Sequence, residues 1–576
     1  MTEAIFTEGA AAPSDHPWLV RYPRAIDWAA PIPVEPLYAF FDRSVAAYAD
    51  RPCLDFLGRR YTYADVGRLV NRAAQGFRDL GVGPGVQVGL CLPNTPYYVI
   101  CYFAVLKAGG TVVNYNPLYA PRELEHQVED SGTTIMVTLD LAVIYPKVAD
   151  LLRRTGLKRI VVCRMADALP ALKGLLFPLL KRADIAAVPH DGRHVRFHTL
   201  VAKELTSQPP PIDPLTHVAV LQYTGGTTGV PKGAMLTHAN LVANLEQIRR
   251  WFIGVEEGRE RMLAVLPFFH VFAMTVTLNL GLAVGSEIIM VPRFDMDAVL
   301  ALIAKRKPTL FPGVPTLFKA IADKPGINRA DMASIRLCIS GGAPLPVEVK
   351  TAFEALTGCV LVEGYGLTEA SPVCTCNPLT GVNKAGSIGL PLSGTIIEIR
   401  TLGDAVRVLP PGEKGEVCIR GPQVMAGYWN RQDETDRTMI DGALRTGDVG
   451  YMDDDGYTFL VDRIKDVILC GGYNVYPRAI EEAIYQHPDV VAVTVIGLPD
   501  SYRGQKPKAF IQRRDGATVT PEEMKRFLAD KLSPIEMPSL IEFRVELPKT
   551  TVGKLSKKEL LAEELAKLDQ GGVAPP

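Results

Sequence analysis

A segment rich in glycine and threonine near the middle of the chain has the residue types needed to hold a row of phosphates. Its chemistry-bearing members are Thr224, Gly225, Gly226, Thr227, Thr228, Gly229 and Lys232. Glycines let backbone N–H groups approach an anion, threonine hydroxyls add hydrogen-bond donors, and the lysine adds positive charge. No Gly-Lys-Ser/Thr sequence closes the loop, so it differs from the usual nucleotide-kinase loop. Composition alone leaves a generic turn as the alternative.

The elements around this loop predict an α/β protein. VAVLQY, which precedes the loop, is typical of a buried strand, and so are VQVGLCL and TVVNY earlier in the chain. Between those two strands, YYVICYFAVLKAGG predicts a helix that ends at glycine. Alternation of this kind favours largely parallel sheets, so we expect a large N-terminal α/β domain with two parallel-rich sheets.

The character of the sequence changes after residue 415. Short β-like pieces such as GEVCIRG and YTFLVD predict a β-rich subdomain, and the last part of the chain alternates predicted helices and strands. We therefore predict an N-terminal domain over residues 1–461, a hinge at 462–466 and a small, mobile α+β domain over 467–576. A length of 576 residues is in keeping with two to four domains.

Bulk composition excludes some classes of function. The net charge of −1 gives no electrostatic reason to expect a nucleic-acid partner. Ten cysteines without a Cys-x-x-Cys pair favour reduced thiols in the cytoplasm over a zinc site. The N-terminus lacks the pattern of a signal peptide, and the most apolar window, Pro96 to Val113, is too short to span a membrane.

One apolar segment is ambiguous. LPALKGLLFPLLKR (169–182) has basic residues at Lys173, Lys181 and Arg182, so it could lie on the inner face of an anionic cell membrane. The alternative is a packed surface insertion, and Pro178 is expected to interrupt any continuous helix. Peripheral membrane association therefore stays open, as does the oligomeric state, for which a homodimer is one alternative.

YTGGTTGVPKG resembles the signature loop of the adenylate-forming superfamily, which includes acyl-CoA synthetases, luciferases and peptide-synthetase adenylation domains. Other segments resemble further motifs of that family in the same order, namely LPFFHVFAM, ISGGAPLP, EGYGLTEASP, RTGDVG, VDRIKDVILCGGYNVYP and PKTTVGKLSKKEL. From about residue 20 to residue 565 the chain is similar to bacterial long-chain fatty-acyl-CoA synthetases.

The resemblance implies roles for particular residues. His270 would border the carboxylate of the acid, although an isolated histidine in an apolar run is more often a core residue. Gly342, Ala343, Glu363, Gly364, Tyr365 and Gly366 would form the adenine side, with Tyr365 stacking on the base. Thr368 would contact phosphate, Glu369 would hold Mg²⁺, Asp448 would bind the ribose and Arg463 would contact the nucleotide. Lys554 would be the adenylation lysine, Lys465 the hinge residue, and Gly471 and Gly472 would lie along the pantetheine arm of coenzyme A.

The implied reaction has two steps. A carboxylate first attacks ATP to give an acyl-adenylate and diphosphate, and the thiol of coenzyme A then displaces AMP. Long-chain fatty acids are the expected substrates; medium-chain or dicarboxylic acids, or transfer to a carrier protein, remain alternatives. Some family members have an aromatic gate four residues after the motif histidine, where this chain has Met274. ATP, Mg²⁺ and coenzyme A are the expected cofactors and co-substrates.

Overall fold

The computed structural model describes residues 16–224, 231–402, 406–470, 473–550 and 555–570. Two large sheets built mainly of parallel strands account for most of the N-terminal part. An antiparallel sheet and a smaller mixed sheet follow toward the C-terminus. The predicted α/β class, with two parallel-rich sheets, a β-rich region and a small C-terminal domain, is confirmed.

The first sheet has seven strands in the order β7-β6-β5-β3-β4-β8-β9, and all neighbours are parallel except β8 and β9. Its strands are β3 (Gln87–Cys91), β4 (Thr111–Asn114), β5 (Ile135–Leu139), β6 (Arg159–Cys163), β7 (His194–Arg196), β8 (Val218–Thr224) and β9 (Lys232–Thr237). The antiparallel β8–β9 hairpin places the phosphate-binding segment predicted from the sequence at the end of β8.

The second sheet has nine strands in the order β16-β15-β14-β13-β12-β10-β11-β1-β2, with a parallel centre and antiparallel edges. Its strands are β1 (Pro52–Phe56), β2 (Arg59–Thr62), β10 (Arg261–Ala264), β11 (Glu287–Met290), β12 (Leu310–Gly313), β13 (Leu337–Ser340), β14 (Val360–Gly366), β15 (Val373–Cys376) and β16 (Leu390–Pro391). Parallel strands all end at the same edge, so β13 and β14 bring their following segments close together.

The third sheet is antiparallel and the fourth is mixed. The third contains β17 (Ile396–Arg400), β18 (Gly415–Arg420), β19 (Met439–Ile440), β20 (Ala443–Met452) and β21 (Thr458–Arg463). The fourth contains β22 (Ile468–Cys470), β23 (Tyr473–Val475), β24 (Val490–Asp500), β25 (Gly504–Arg513) and β26 (Leu540–Arg544), of which only β25 and β26 pair in parallel.

Helices cover the sheets and link their strands. In the N-terminal half they are α1 (Tyr38–Ala47), α2 (Tyr63–Asp79), α3 (Pro96–Lys107), α4 (Pro121–Ser131), α5 (Tyr145–Arg154), α6 (Met165–Ala168), α7 (Ala171–Leu180), α8 (Phe197–Leu200) and α9 (His238–Trp251). The rest are α10 (Leu280–Ala283), α11 (Met296–Arg306), α12 (Pro315–Ala322), α13 (Arg329–Met332), α14 (Val347–Thr357), α15 (Gln432–Thr438), α16 (Pro477–Tyr485), α17 (Pro521–Leu528) and α18 (Lys557–Gln570). Among the described residues, no helix combines the length and apolarity needed to cross a bilayer.

Local signals explain several of these boundaries. Thr62 and Thr520 each form a capping box at the start of α2 and α17, in which the threonine side chain accepts from the third helical N–H. The prediction that Pro178 interrupts a helix was wrong, because α7 runs from Ala171 to Leu180 with the proline inside it. Pro178 falls in the last turn of α7, where few residues follow it and little helix remains to be disrupted. All ten cysteines lie within the described residues and are buried as free thiols.

Candidate active site

The β8–β9 hairpin brings together the two ends of the phosphate-binding segment. Thr224 at the end of β8 is directly opposite Lys232 at the start of β9. Both side chains are half-buried. Gly225, Gly226, Thr227, Thr228 and Gly229, which the sequence also assigns to phosphate binding, lie outside the described residues.

Lys232 carries the positive charge at this edge. Its Nζ forms a salt bridge of 2.5 Å with Glu434 of α15 and lies 5.3 Å from the centre of the Tyr428 ring. The lysine is mostly buried, so its charge is balanced by a specific carboxylate rather than by water. The sequence did not identify Glu434 or Tyr428 as site residues.

Tyr428 also contacts the glutamate that the sequence assigns to Mg²⁺. Its hydroxyl donates a hydrogen bond of 2.7 Å to Oε1 of Glu369. Burial, followed by the charge of Glu369, raises the pKa of the Tyr428 phenol, which therefore stays protonated and acts as a donor. One phenol thus lies between the lysine of the phosphate segment and the proposed metal carboxylate.

The segment that carries Tyr428 is fastened to the hairpin by backbone hydrogen bonds. Gly427 accepts from the N–H of Met235 at 2.9 Å, and the N–H of Trp429 donates to Gly233 at 2.8 Å. On its other side, the N–H of Met425 donates to the carbonyl of Glu369 at 2.7 Å. This strand-like segment therefore joins β9 to the bend after β14 and sets the separation of Lys232 and Glu369.

The donor set around Glu369 fits a Mg²⁺ ion that is held partly by substrate phosphates better than one held by protein side chains alone. Within the described part of the chain, no group of three or more His, Cys, Asp or Glu side chains could hold a metal. Mg²⁺ is commonly bound by one or two carboxylates together with substrate phosphates and water. A single half-buried glutamate beside the hairpin predicted to bind phosphate has that chemistry.

Asp448, which the sequence predicts to bind the ribose, forms the centre of a second cluster. It lies in β20 directly opposite Arg463 of β21 and is nearly fully buried. Its Oδ2 accepts a 2.6 Å hydrogen bond from the hydroxyl of Tyr365, and its Oδ1 lies 3.0 Å from Nε of Arg463. The carboxylate, in turn, raises the pKa of the arginine. Residues from β14, β20 and β21 therefore meet at one carboxylate.

Glycines in and near β14 are required by close backbone packing. A Cβ at Gly366 would lie 1.9 Å from the carbonyl oxygen of Pro372, and one at Gly364 would lie 2.8 Å from Ile339. Thr368 and Glu369 follow directly in a half-buried bend. Any larger residue at position 366 would push this bend, and with it Glu369, out of place.

The turn after β13 faces the histidine motif. Gly342 has a φ of +82°, the left-handed region that favours glycine, and Ala343 beside it is half-buried. A Cβ at Gly341 would lie 2.9 Å from the ring of Phe272. Phe272, two residues after His270, thus packs directly on the turn that the sequence assigns to adenine.

A buried network of polar side chains holds the backbone of the segment that carries His270 (266–274). The amide of Gln222 in β8 donates to the carbonyl of Phe269 at 2.9 Å, and Asn114 in β4 donates to Gln222 at 2.8 Å. The hydroxyl of Tyr98 in α3 lies 2.8 Å from both the carbonyl of Phe268 and Oδ1 of Asn114. His270 is half-buried at the end of this supported stretch.

Met274, at the position of the family's aromatic gate, is the second residue of a buried helical segment that starts at the end of the motif. This segment, Ala273–Asn279, is a π-helix, a rare geometry that is frequent at functional sites. The sulfur of Met274 lies 3.4 Å from Nδ2 of Asn114. Met274 is therefore fully buried and joined to the same network that supports the motif.

Glu363 in β14 is buried at the border with the C-terminal part of the chain. Burial raises the pKa of its carboxyl from the ordinary 4.5 to about 7, opposed by the positive charge of Arg478. Arg478, in α16, is itself buried, and its backbone N–H donates to Asp462 at 2.8 Å. The predicted hinge and the first helix after it thus lie next to Glu363, one of the residues predicted to surround adenine.

The remaining predicted residues are only partly described. Lys554, Gly471 and Gly472 lie outside the described residues. Lys465, the predicted hinge residue, lies beside Arg463, and burial together with that arginine lowers its pKa. The structure thus brings Thr224, Lys232 and Glu369 into one cluster and Tyr365, Asp448 and Arg463 into another. Tyr428 and Glu434 both lie in GPQVMAGYWNRQDETD (421–436), a segment that also resembles the bacterial fatty-acyl-CoA synthetases, and its aromatic and acidic residues were the signal that could have found them.

Family models match two parts of the chain. The model described as AMP-binding enzyme matches residues 41–429, and the model described as AMP-binding enzyme C-terminal domain matches residues 479–554. The chain is also 43% identical over 554 residues to a long-chain-fatty-acid–CoA ligase of Bacillus subtilis (strain 168). That alignment covers 96% of this chain and 98% of the relative.

Solved structures support the same likeness. ATP-bound MatB from Rhodopseudomonas palustris matches with a TM-score of 0.79 at 28% identity, covering 91% of this chain and 98% of MatB. The anthranilate CoA ligase AuaEII, solved with anthranoyl-AMP, matches with a TM-score of 0.81 at 26% identity and covers 94% of this chain and 100% of AuaEII. One of these structures holds ATP and the other an acyl-adenylate.

Proposed function

Because this chain belongs to the family of AMP-binding enzymes, we propose that it is an ATP-dependent long-chain fatty-acid–CoA ligase. The overall reaction converts fatty acid, ATP and coenzyme A to acyl-CoA, AMP and diphosphate. The observation that carries this proposal is the grouping of the β8–β9 hairpin of the first sheet, Glu369 and Tyr365 at the end of β14 in the second sheet, and Asp448 and Arg463 of the antiparallel sheet. Near full-length likeness to a long-chain-fatty-acid–CoA ligase supports the choice of substrate.

The first half-reaction joins the acid to AMP. A carboxylate oxygen attacks the α-phosphorus of ATP, the bond between the α- and β-phosphates breaks, and diphosphate leaves with the electron pair. The protein has little covalent chemistry to do, because its task is to align two anions and to neutralise charge on phosphorus. Mg²⁺, when bound, would supply positive charge to the phosphate oxygens.

We assign the nucleotide contacts as follows. The triphosphate lies along the hairpin, where Tyr428 contacts both Lys232 and Glu369 and Glu434 pairs with Lys232. ATP binding replaces the carboxylate of Glu434 as the partner of Lys232. Phosphate binding falls to Thr224, Gly225, Gly226, Thr227, Thr228, Gly229, Lys232 and Thr368, with Glu369 as the metal ligand.

The nucleoside lies across the β14 side of the site. Adenine is held among Gly342, Ala343, Glu363, Gly364, Tyr365 and Gly366, and the ribose hydroxyls donate to Asp448. Because Asp448 already accepts from Tyr365 and Arg463, its carboxylate is oriented before ribose binds. Arg463 then adds a charged donor beside the nucleotide. His270 borders the acid carboxylate and orients it, without a proton transfer.

In the second half-reaction the thiolate of coenzyme A attacks the acyl carbon, and AMP leaves with the bonding electrons. We propose that Lys554 serves the first step, that Gly471 and Gly472 line the pantetheine path in the second, and that the domain over 467–576 rotates about 462–466 between them. ATP and coenzyme A would be drawn from the cytoplasm, where we place the enzyme.

A product assay tests the reaction and its substrate. The enzyme is given ATP, Mg²⁺, coenzyme A and one acid at a time, from butyrate to stearate and including pimelate, and AMP and acyl-CoA are both measured. We expect equal amounts of both products, with the highest kcat/KM for the longest acids, since each buried CH₂ contributes about 0.8 kcal/mol. AMP without acyl-CoA would indicate carrier loading, and a preference for octanoate or pimelate would overturn the long-chain assignment.

A pair of lysine variants tests the assignment of the first step. Lys554→Ala should slow adenylation by roughly 10²–10³-fold and leave thioester formation from supplied acyl-adenylate largely unchanged. Lys558→Ala, an exposed neighbour in α18, is the matched control and should change neither half-reaction. Equal loss of both half-reactions in Lys554→Ala would contradict the assignment.

A further inference from the structure

Helix α7 carries a row of exposed leucines that the proposed reaction does not use. Leu172, Leu175, Leu176, Leu179 and Leu180 are between 38% and 74% exposed. Their spacing of i, i+3, i+4, i+7 and i+8 places them on one face of the helix. No residue of α7 is buried, so this leucine face is an apolar surface open to the outside.

The opposite face of α7 holds the helix against the protein. A Cβ at Gly174 would lie 2.5 Å from the carbonyl oxygen of Ala166, so helix and preceding turn are in direct backbone contact. Phe177 packs against the main core. Arg59 of β2 donates to the carbonyls of Asp167 and Leu169, which fixes the turn that leads into α7. The leucine face is therefore presented by an anchored helix.

Basic side chains border the leucine face. Lys173, Lys181 and Arg182 are all exposed, and residues 169–184 contain only Asp184 as a counter-charge. Lys173 donates to the carbonyl of Leu57 at 3.4 Å, which brings that exposed leucine to the edge of the patch. A local excess of positive charge on a chain with net charge −1 matches a negatively charged surface.

We propose that α7 docks the enzyme on an anionic lipid bilayer, with its leucines in the interface and its lysines and arginine among the headgroups. The ten residues of α7 span only ~15 Å, so the helix lies in the plane of the interface and does not cross it. Protein interfaces favour aromatic side chains, methionine and arginine at their centre, whereas this face offers leucine alone.

The chemistry of the proposed substrate gives this surface a use. Long-chain fatty acids partition into bilayers, because moving each CH₂ group from water into lipid lowers the free energy. The gain per CH₂ is about the same as on burial in a protein. An enzyme held at the bilayer meets its acid where the acid is concentrated. This last point rests on the proposed function, but the docking itself does not.

Vesicle sedimentation of the full chain, without ATP or acid, tests the docking. The probes are phosphatidylcholine vesicles and vesicles in which phosphatidylglycerol replaces about a quarter of the lipid. We expect the parent protein to bind the mixed vesicles, with binding lost at high salt. No binding to either, or equal binding to both, would overturn the proposal.

Two variants locate the contact. L175Q/L179Q and K181E/R182E should each weaken binding to the mixed vesicles by about tenfold or more. L215Q/L540Q, which replaces two exposed leucines elsewhere, should bind like the parent. Unchanged binding by both α7 variants, or equal weakening by L215Q/L540Q, would overturn the assignment to α7. A change in oligomeric state of L175Q/L179Q without loss of lipid binding would assign the face to a second copy instead.

An activity comparison separates this inference from the proposed function. With octanoate in solution, L175Q/L179Q should match the parent, and with oleate supplied in mixed vesicles it should be several-fold slower. Absence of activity in the parent with any acid would sink the proposed function and leave the sedimentation result standing. Equal rates with vesicle-borne oleate would contradict a role for docking in substrate supply.

Discussion

Helices α3 and α7 are both short and apolar, and the fold uses them in opposite ways. All twelve residues of α3 are buried, including Lys107 at its end, and no residue of α7 is buried. Helix α3 joins two strands in the middle of the first sheet and packs against α1 and α2. Helix α7 belongs to the connection that leads to β7, the edge strand. Apolar composition thus does not by itself tell core from docking surface.

The two helices also differ in how they relate to the active site. Tyr98 of α3 reaches the backbone of the histidine motif, so this helix is part of the support of the site. The contacts of α7 include those with α6 and with the β1–β2 turn, and its Phe177 packs against the main core. We therefore expect changes in buried parts to affect stability and catalysis, and changes of the exposed leucines of α7 to affect neither stability nor the turnover of a dissolved acid.

The largest effect is expected in the centre of α3. Phe103 is fully buried and stacks on Phe41 of α1, with ring centroids 4.4 Å apart. Phe103→Ala should lower the free energy of unfolding by about 3–5 kcal/mol, because it removes apolar contacts and leaves a cavity. Urea unfolding followed by fluorescence measures this, with Phe103→Leu as a milder control. A loss below about 1 kcal/mol would contradict the tight packing of α3.

The buried carboxyl of Glu363 is expected to give the next largest effect on stability, and this effect depends on pH. The folded protein raises the pKa of Glu363 from 4.5 to about 7, so stability is lost as pH rises through that interval. Glu363→Gln should therefore be more stable than the parent at pH values above 7, by up to about 3 kcal/mol, and similar to it below 4.5.

Thermal unfolding of both proteins across this pH range measures the difference. Lys181→Gln, a change at an exposed position beside α7, serves as the control. Its stability difference from the parent should be the same at every pH in this range. A stability difference between Glu363→Gln and the parent that is the same at every pH would refute the assignment.

The hydroxyl of Tyr98 tests the link between α3 and the site. Tyr98→Phe removes the single O–H that lies within reach of two buried acceptors and should cost about 1–3 kcal/mol of stability. Because the hydroxyl holds the segment before His270, we expect KM for the acid to rise several-fold while KM for ATP stays the same. Tyr102→Phe, which loses only a 3.4 Å contact with Asn279, is the control. Equal changes in both KM values would show that the effect is general.

The smallest effect is expected in α7. L175Q/L179Q should change the free energy of unfolding by no more than about 0.5 kcal/mol, because both side chains are exposed in the folded protein. Urea unfolding beside Phe103→Ala gives the comparison directly. A loss as large as that of Phe103→Ala would mean that the leucine face of α7 is covered in solution.

Much of the site could be anticipated from the sequence, and some of it could not. The glycine- and threonine-rich segment, the motif order and the alternation of helices and strands were sufficient for the fold class and for the family. Those signals are local, because backbone freedom, charge and periodicity are properties of neighbouring residues. Contacts between motifs that are distant in the sequence could not be predicted from it. Tyr428 meets Glu369 across 59 positions and Glu434 meets Lys232 across 202, and neither pairing leaves a pattern in one sequence.

The sequence by itself determined which groups are available: a glycine- and threonine-rich segment, a set of carboxylates and two apolar helices. The tertiary structure alone decided which carboxylate faces the lysine, which phenol orients the proposed metal ligand, and which apolar helix remains uncovered. The physical reason is that burial and hydrogen bonding between distant segments depend on the position of each strand within its sheet. The same leucines would form a core if α7 joined central strands, and at the sheet edge they form a surface.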